Sequence, residues 1–347
     1  MTYVSSQSLT MPIRQSVLQA QATLSKDQTE ISTGAPADLG MTLGGQTGSI
    51  LSMESQIDSL NGYVTSNSAA TTRLSATSNV LDTVLSQAQT MSAALITASA
   101  AGDTTNTLQT EATSALQTLV GNLNTSVGGQ AIFGGINTGS TPLANYLGTS
   151  SSSAMTAVSS AFQSFVTSQG GDASSIDGTT MQSFLSGQFS SLFSDSNWSQ
   201  WSSASNTTMQ STIAPGQTQS TSVSANNSAF RQITQAYTML SALSGSNLSS
   251  SASAAVVSTA TTLLNSGIAA LTNLQSSVGV AQAAVTSAGT QMSAQVSVLQ
   301  TNVSNAASVD TYALSTQIST LQTQLEASYE LTSQIQSLSL TNYLTAG

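Results

Sequence analysis

Paired carboxylates are the groups in this 347-residue chain with a spacing that could do chemistry. Asp27 and Glu30 stand at i,i+3, and Glu54 and Asp58 at i,i+4, so each pair shares one face of a helix and carboxylate-only catalysis is the reaction class they would serve. Nothing joins them. The chain has no His and no Cys, which removes the commonest general base and metal ligand, thiolate nucleophiles, disulfides and sulfur-ligated metals. No acid, base and nucleophile converge anywhere along it, and the same spacings are those of solvated helix faces. We read both pairs as solvated, and expect no catalytic residue, no metal and no cofactor.

Charge excludes more. Fourteen acidic residues face only Arg14, Lys26, Arg73 and Arg231, for a net charge of -10, so a phosphate-binding surface and a nucleic-acid partner are set aside. Gly134-Gly135 fits no nucleotide fingerprint and has no basic residue near it. Only 5% of residues are charged, against about 25% in an ordinary globular chain. Contacts must therefore come from packing and from neutral hydrogen bonds among Ser, Thr, Asn and Gln. Arg14 and Lys26 are candidates to pair with Glu326 and Glu330 across the terminal helices, although as solvated charges such pairs contribute about 0 to 1 kcal/mol. No stretch approaches the ~20 apolar residues of a membrane span, so membrane insertion is not expected. The first thirty residues lack the basic start and apolar run of a cleaved secretory signal.

The elements that carry these residues are read from periodicity. From Ile50 to Leu95 an unbroken 3,4 spacing runs through Ile57, Leu60, Val64, Asn67, Leu74, Leu81, Leu85, Ala88 and Ser92, and at 1.5 Å per residue this run would make a rod of about 70 Å. A matching run passes through Val257, Leu264, Gly267, Leu271, Val278, Val285, Met292 and Leu299. Each buries one seam against a neighbouring helix. Ile13, Val17, Ala20, Leu24 and Ile31 mark an N-terminal helix from about residue 12 to 33, with Pro12 in its first turn and Gly34 at its end. A break falls around Asn305 to Asp310, and Leu314, Ile318, Leu321, Leu325, Ile335 and Leu338 mark a last helix ending near Leu344. Neither terminal helix is ordered well alone.

The middle differs in kind. A further helix carries Leu108, Ala112, Ala115, Leu119 and Leu123, and stops before Gly128-Gly129. Five of seven Phe and both Trp lie between residues 162 and 201, which suggests a separate small core. Residues flanking Pro215-Gly216, between Thr207 and Val223, read as two strands joined by a turn. The fold class expected is mainly α: a long antiparallel helical coiled-coil rod formed by N- and C-terminal segments, with an inserted smaller α+β outer domain. Its parts are the terminal helices 1–45 with 305–347, the rod 46–135 with 245–304, and the insert 136–244.

Three segments carry a resemblance. Thr316 to Leu344 (TQISTLQTQLEASYELTSQIQSLSLTNYL) is similar to the C-terminal helix of the flagellin superfamily, and Thr29 to Gly40 (TEISTGAPADLG) to the segment that closes its first helix. Phe133 to Leu143 (FGGINTGSTPL) resembles the turn into the outer domain of the hook-associated proteins of the hook–filament junction. One departure stands against filament flagellin: Pro36-Ala37-Asp38-Leu39 replaces the Asp-Asp that commonly follows the first of these segments there. The resemblance implies an axial structural component, exported without a cleaved signal peptide through the flagellar type III apparatus to the extracellular flagellum. Its partners would be copies of itself, neighbouring hook-associated protein and flagellin subunits, and an export chaperone. Its termini would be disordered until assembly, with Ile13, Val17, Leu24, Ile31, Leu314, Ile318, Leu321, Leu325, Ile335, Leu338 and Leu344 as the assembly residues. Filament flagellin is the nearest alternative, and a secreted coiled-coil adhesin or effector the next.

Overall fold

A computed structural model describes residues 6–101, 106–147 and 152–344, with side chains described over most of that range. Helix α1 spans Ser6–Thr33 and is followed by the short α2, Leu39–Leu43, and by α3, Thr47–Ala101. Then come α4, Asn106–Leu123, and a two-residue hairpin of β1, Ser126–Val127, and β2, Gln130–Ala131. Helices α5, Ser153–Ser168, and α6, Gly178–Phe184, precede a second hairpin of β3, Gln210–Ala214, and β4, Gln217–Ser220. Helices α7, Ser228–Leu243, α8, Ser250–Ala307, and α9, Thr311–Leu344, complete the chain. The class is mainly α, as the periodicity implies. Helix α1 begins earlier than expected, so Pro12 lies inside it and its ring leaves one carbonyl of the first turns without a backbone donor.

The chain divides into two compact units, Met1–Asn61 with Ser293–Gly347, and Gly62–Met292. In the second unit α3 and α8 run antiparallel, and polar hydrogen-bonded pairs fix their register. Ser92 Oγ meets Asn265 Oδ1 at 3.0 Å, Gln275 Nε2 donates to Asp82 at 2.6 Å, and Gln282 Nε2 donates to Ser75 Oγ at 2.9 Å. A step of ten residues from Ser92 to Asp82 is matched by ten from Asn265 to Gln275, and the next step is seven on both helices. Such agreement is what a heptad seam requires, because a slip of one residue would misalign every pair. Along and just beyond this stretch, Leu74, Leu81, Ala88 and Leu95 of α3 and Leu264, Leu271, Val278 and Val285 of α8 are buried.

Asn67 occupies a seam position yet is 2% exposed. Its Nδ2 donates to the Ile213 carbonyl of β3 at 2.8 Å, so the side chain that breaks the apolar seam ties the second hairpin to the helices. Gly289 stands opposite, and a Cβ there would meet the Asn67 side chain at ordinary contact distance. In that hairpin Pro215-Gly216 forms the two-residue turn, with Gly216 at φ 74, the left-handed value a side chain disfavours. The Gly128-Gly129 pair likewise turns the first hairpin, at φ 59 and 77, a strand pair that periodicity does not reveal because it is only two residues long.

The aromatic residues do not make a separate small core. Tyr146 stacks on Trp201 at 5.0 Å, Trp201 meets Phe193 at 4.8 Å, and Phe165 stacks on Phe184 at 4.2 Å. These rings belong to the same continuous buried cluster as Leu81, Leu116 and Leu264. The reason is α7, whose residues are buried on almost every side and which packs along α4 while Phe230 meets Phe133 edge-on at 5.6 Å. A helix buried all round joins two layers into one core. One window within residues 250–335 is also apolar enough, by length and composition, to cross a membrane, which corrects the expectation that none approaches it. Ala, Val and Leu concentrate there because α8 supplies its seam to this core.

Replacing Asn67 with Ala removes the donor to a buried carbonyl and is expected to lower unfolding stability by about 1 to 3 kcal/mol. Chemical denaturation checks the magnitude. Faster proteolysis at the 215–216 turn, with helical circular dichroism retained, would show that the loss is local to the hairpin.

Candidate functional site

The candidate assembly residues singled out by the sequence lie in the first unit, on α1 and α9. These helices pack on each other, and the Val309 N–H donates to the Gly34 carbonyl at 3.2 Å while Gln21 Nε2 donates to the Tyr329 hydroxyl at 2.6 Å. Ile13, Val17, Ala20, Leu24 and Ile31 of α1 are half-buried, as are Leu314, Ile318, Leu321 and Ile335 of α9. Leu325 is buried, at 7% exposure, so it belongs to the packing within one chain. The α9 stripe is continued by Ser328 and Thr332 at unbroken 4,3 spacing, two half-buried polar positions between Leu325 and Ile335. The side chains of Leu338 and Leu344 lie outside the described residues. The sequence reading thus found the faces that meet inside the chain.

On α1 the position between Leu24 and Ile31 belongs to Asp27, which the apolar stripe passes over in silence. Asp27 is 4% exposed and Glu30 7%, so the expectation that this pair is solvated fails. The physical reason differs between them. Glu30 is enclosed because it is structural: its Oε1 accepts from the Ala37 N–H at 2.9 Å and stands 3.6 Å from Lys26 Nζ, which holds down the turn that follows the helix. Gly34, at φ 69, makes that turn and its N–H donates to the Glu30 carbonyl at 2.8 Å. Pro36 is buried beneath it, and Asp38 caps α2 by accepting from the Met41 N–H at 3.0 Å. Asp27 instead has an oxygen, Oδ2, with no partner among the described residues. Burial pushes its carboxyl above the usual carboxylate range, the neighbouring Glu30 raises it further, and Lys26 opposes both. Glu54 and Asp58 are exposed, in keeping with a solvated face.

Three of the four cations have local partners. Lys26 pairs with Glu30 rather than across the helices, Arg231 pairs with Asp195, and Arg73 donates to Gln130. Among the described residues no ion pair joins Arg14 or Lys26 to Glu326 or Glu330. Large apolar side chains also face outward in this unit: Met11 and Leu18 of α1, two helical turns apart, together with Met41, Leu51, Tyr312 and Leu331, are each more than half exposed. These residues fall off the stripe that the 3,4 spacing marks, and only the helix pairing distinguishes them as unpartnered.

Two long helices at the ends of a chain, closed on each other and flanking a compact middle, correspond to what comparison with known families returns. Residues 4–138 match the bacterial flagellin N-terminal helical region, and residues 261–344 match the bacterial flagellin C-terminal helical region. Together these cover more than half of the chain. It belongs to the flagellin superfamily. No curated protein matches it at a significant level. The superfamily is structural and non-enzymatic, its members self-associate into polymers, and their place is the extracellular flagellum. The α1–α9 pair lies within the two matched helical regions, and of its buried carboxylates Glu30 holds the turn after α1. The N-terminal match ends within the Phe133 to Leu143 turn, and residues 139–260 fall outside both matched regions.

Leu325→Ala is expected to destabilise the α1–α9 pair of the single chain, by about 2 kcal/mol at the low end of buried Leu truncations because its surroundings are only half-buried. Hydrogen exchange along both helices measures it, and unchanged protection would place Leu325 outside the intrachain packing. Asp27 makes a second, pH-dependent case. Its carboxyl binds a proton more tightly folded than unfolded, so its contribution favours folding as pH falls through the interval above the ordinary carboxylate value, and the penalty is complete above the raised value. Asp27→Asn should accordingly raise protection of α1 and α9 at neutral pH and flatten its dependence on mildly acidic pH.

Proposed function

We propose that the chain is a hook-associated protein of the hook–filament junction, exported through the flagellar type III apparatus and held in place by helix packing between subunits. The observation that carries its assembly role is the imbalance of burial in the terminal pair. Ile13, Val17, Leu24 and Ile31 and their α9 counterparts remain half-exposed in the single chain, and Leu325 alone among the described apolar residues of α9 is enclosed. Two helices cannot cover two seams completely, and the remaining area is gained only against further helices. Met11, Leu18, Met41, Leu51, Tyr312 and Leu331, on the outward faces, supply the apolar surface for copies of the chain and for neighbouring hook-associated protein and flagellin subunits. The same exposed surface is what an export chaperone would shield before assembly.

The junction reading, rather than filament flagellin, rests on the Phe133 to Leu143 turn and on the missing Asp-Asp after Gly34. The turn is a built structure. A Cβ on Gly134 would lie 2.4 Å from the Asn137 carbonyl, and one on Gly135 2.6 Å from the carbonyls of Ser205 and Thr207. Asn137 Nδ2 donates to the Ser203 carbonyl at 3.0 Å, and Asn124 grips Leu143 through both its amide ends. Such a clamp fixes where the chain leaves α4 and where it returns before β3, which suits a subunit whose outer part must hold one orientation.

Electron microscopy of cells lacking the gene, with an assay for flagellin in the medium, tests the reading. Hooks without filaments and shed flagellin are expected. Absent filaments without shed flagellin would make the chain the filament subunit, and normal filaments would return the adhesin or effector reading.

A further inference from the structure

Beside the second hairpin a slot of about 420 Å³ opens, of a size that takes a small ligand. Half-buried Leu274, over the buried Leu74 and Val278 of the α3–α8 seam, makes one apolar side. Its other side is polar and neutral, and part of it is unspent. Asn206 Oδ1 accepts from Asn226 and Asn227 Oδ1 accepts from the Ala229 N–H, so each side chain keeps its amide N–H₂ unengaged among the described residues. Gln219, on β4, lines the slot with an amide that has no side-chain hydrogen bond among those residues. Asp195 stands at the rim with Oδ1 held by Arg231 and Oδ2 open to solvent, its side chain 88% exposed.

The chemistry of this lining selects a class of ligand. Amide donors and one carboxylate acceptor on one wall, opposed by an apolar wall, match a ring whose hydroxyl edge donates and accepts while its C–H face is apolar. Phosphate and sulfate are disfavoured, because the nearby cation is already neutralised by Asp195. Hydrolysis is excluded by arithmetic of functional groups: glycoside cleavage uses two carboxylates, and Asp195 is the single carboxylate on the slot. We propose that this slot reversibly binds a neutral hexopyranose-type carbohydrate, without turning it over. This does not depend on how the subunit assembles.

Trp198 provides the readout, since its Nε1–H donates at 2.9 Å to Asn226 Oδ1, a side chain of the slot. Glucose, galactose, mannose and N-acetylglucosamine are titrated into the full-length chain while tryptophan emission and saturation-transfer NMR are followed. At least one sugar should give a saturable millimolar response. Ser277→Phe, which places a ring on the exposed α8 residue at the mouth, should weaken that response at least tenfold with the thermal transition unchanged. Gln219→Ala should weaken it severalfold and serves if the first variant does not fold. A wild-type chain that answers to none of the sugars, a response that survives both substitutions, or equal binding of glucose 6-phosphate would each overturn the proposal.

Discussion

An antiparallel pair of helices built from Ala, Val, Leu and small polar residues has many nearly equivalent registers, and everything else in the larger unit depends on one being chosen. Charge cannot choose it, because only 5% of the chain is charged. Hydrogen-bonded pins do so instead, neutral ones of Ser92 on Asn265 and Ser75 on Gln282 and one from Gln275 to the Asp82 carboxylate. Each pin is modest, about 0.5 to 1.5 kcal/mol net, yet a shifted register would lose all three together. The polar residues in the seam therefore act by penalising the alternatives.

From that register the rest of the unit follows. Asn67 reaches the Ile213 carbonyl because the helix presents it to the hairpin. Gly267 allows α8 to approach α7 closely, since a Cβ there would lie 2.7 Å from Ile233. Helix α7 is then enclosed, and the chain of rings from Tyr146 to Phe184 packs onto the same core. The insert's aromatic residues thus share one buried cluster with the rod helices.

The terminal pair follows the opposite rule. Its seam is apolar by spacing but incomplete in burial, and it contains an aspartate with an unpartnered oxygen. A pair that reached full burial alone would have little free energy left to gain from neighbours. Here the seam leaves apolar area uncovered, and Asp27 sits where burial penalises its charge.

The long helices, the boundaries at Gly34 and Asp310 and the turn at Pro215-Gly216 were legible from spacing and composition, because periodicity of apolar residues is a local property that a helix obeys wherever it sits. The short α2 and the helices α5 and α6 were not legible, and the family came from the resemblance of three segments. Asp310 does cap α9, accepting from the N–H groups of Tyr312 and Ala313 at 3.0 Å. The environment of a polar residue is not local in that sense. Asp27 and Glu30 show the same i,i+3 spacing whether solvated or enclosed, and only the packing of α9 and of the turn through Pro36 against α1 decides that they are buried. Likewise a list of stripe residues names the apolar face of a helix without saying whether its partner is the same chain or another. The sequence by itself determined which segments are helical and which face of each is apolar, whereas the tertiary structure decided which faces are already spent within the chain, because burial depends on partners far away in sequence.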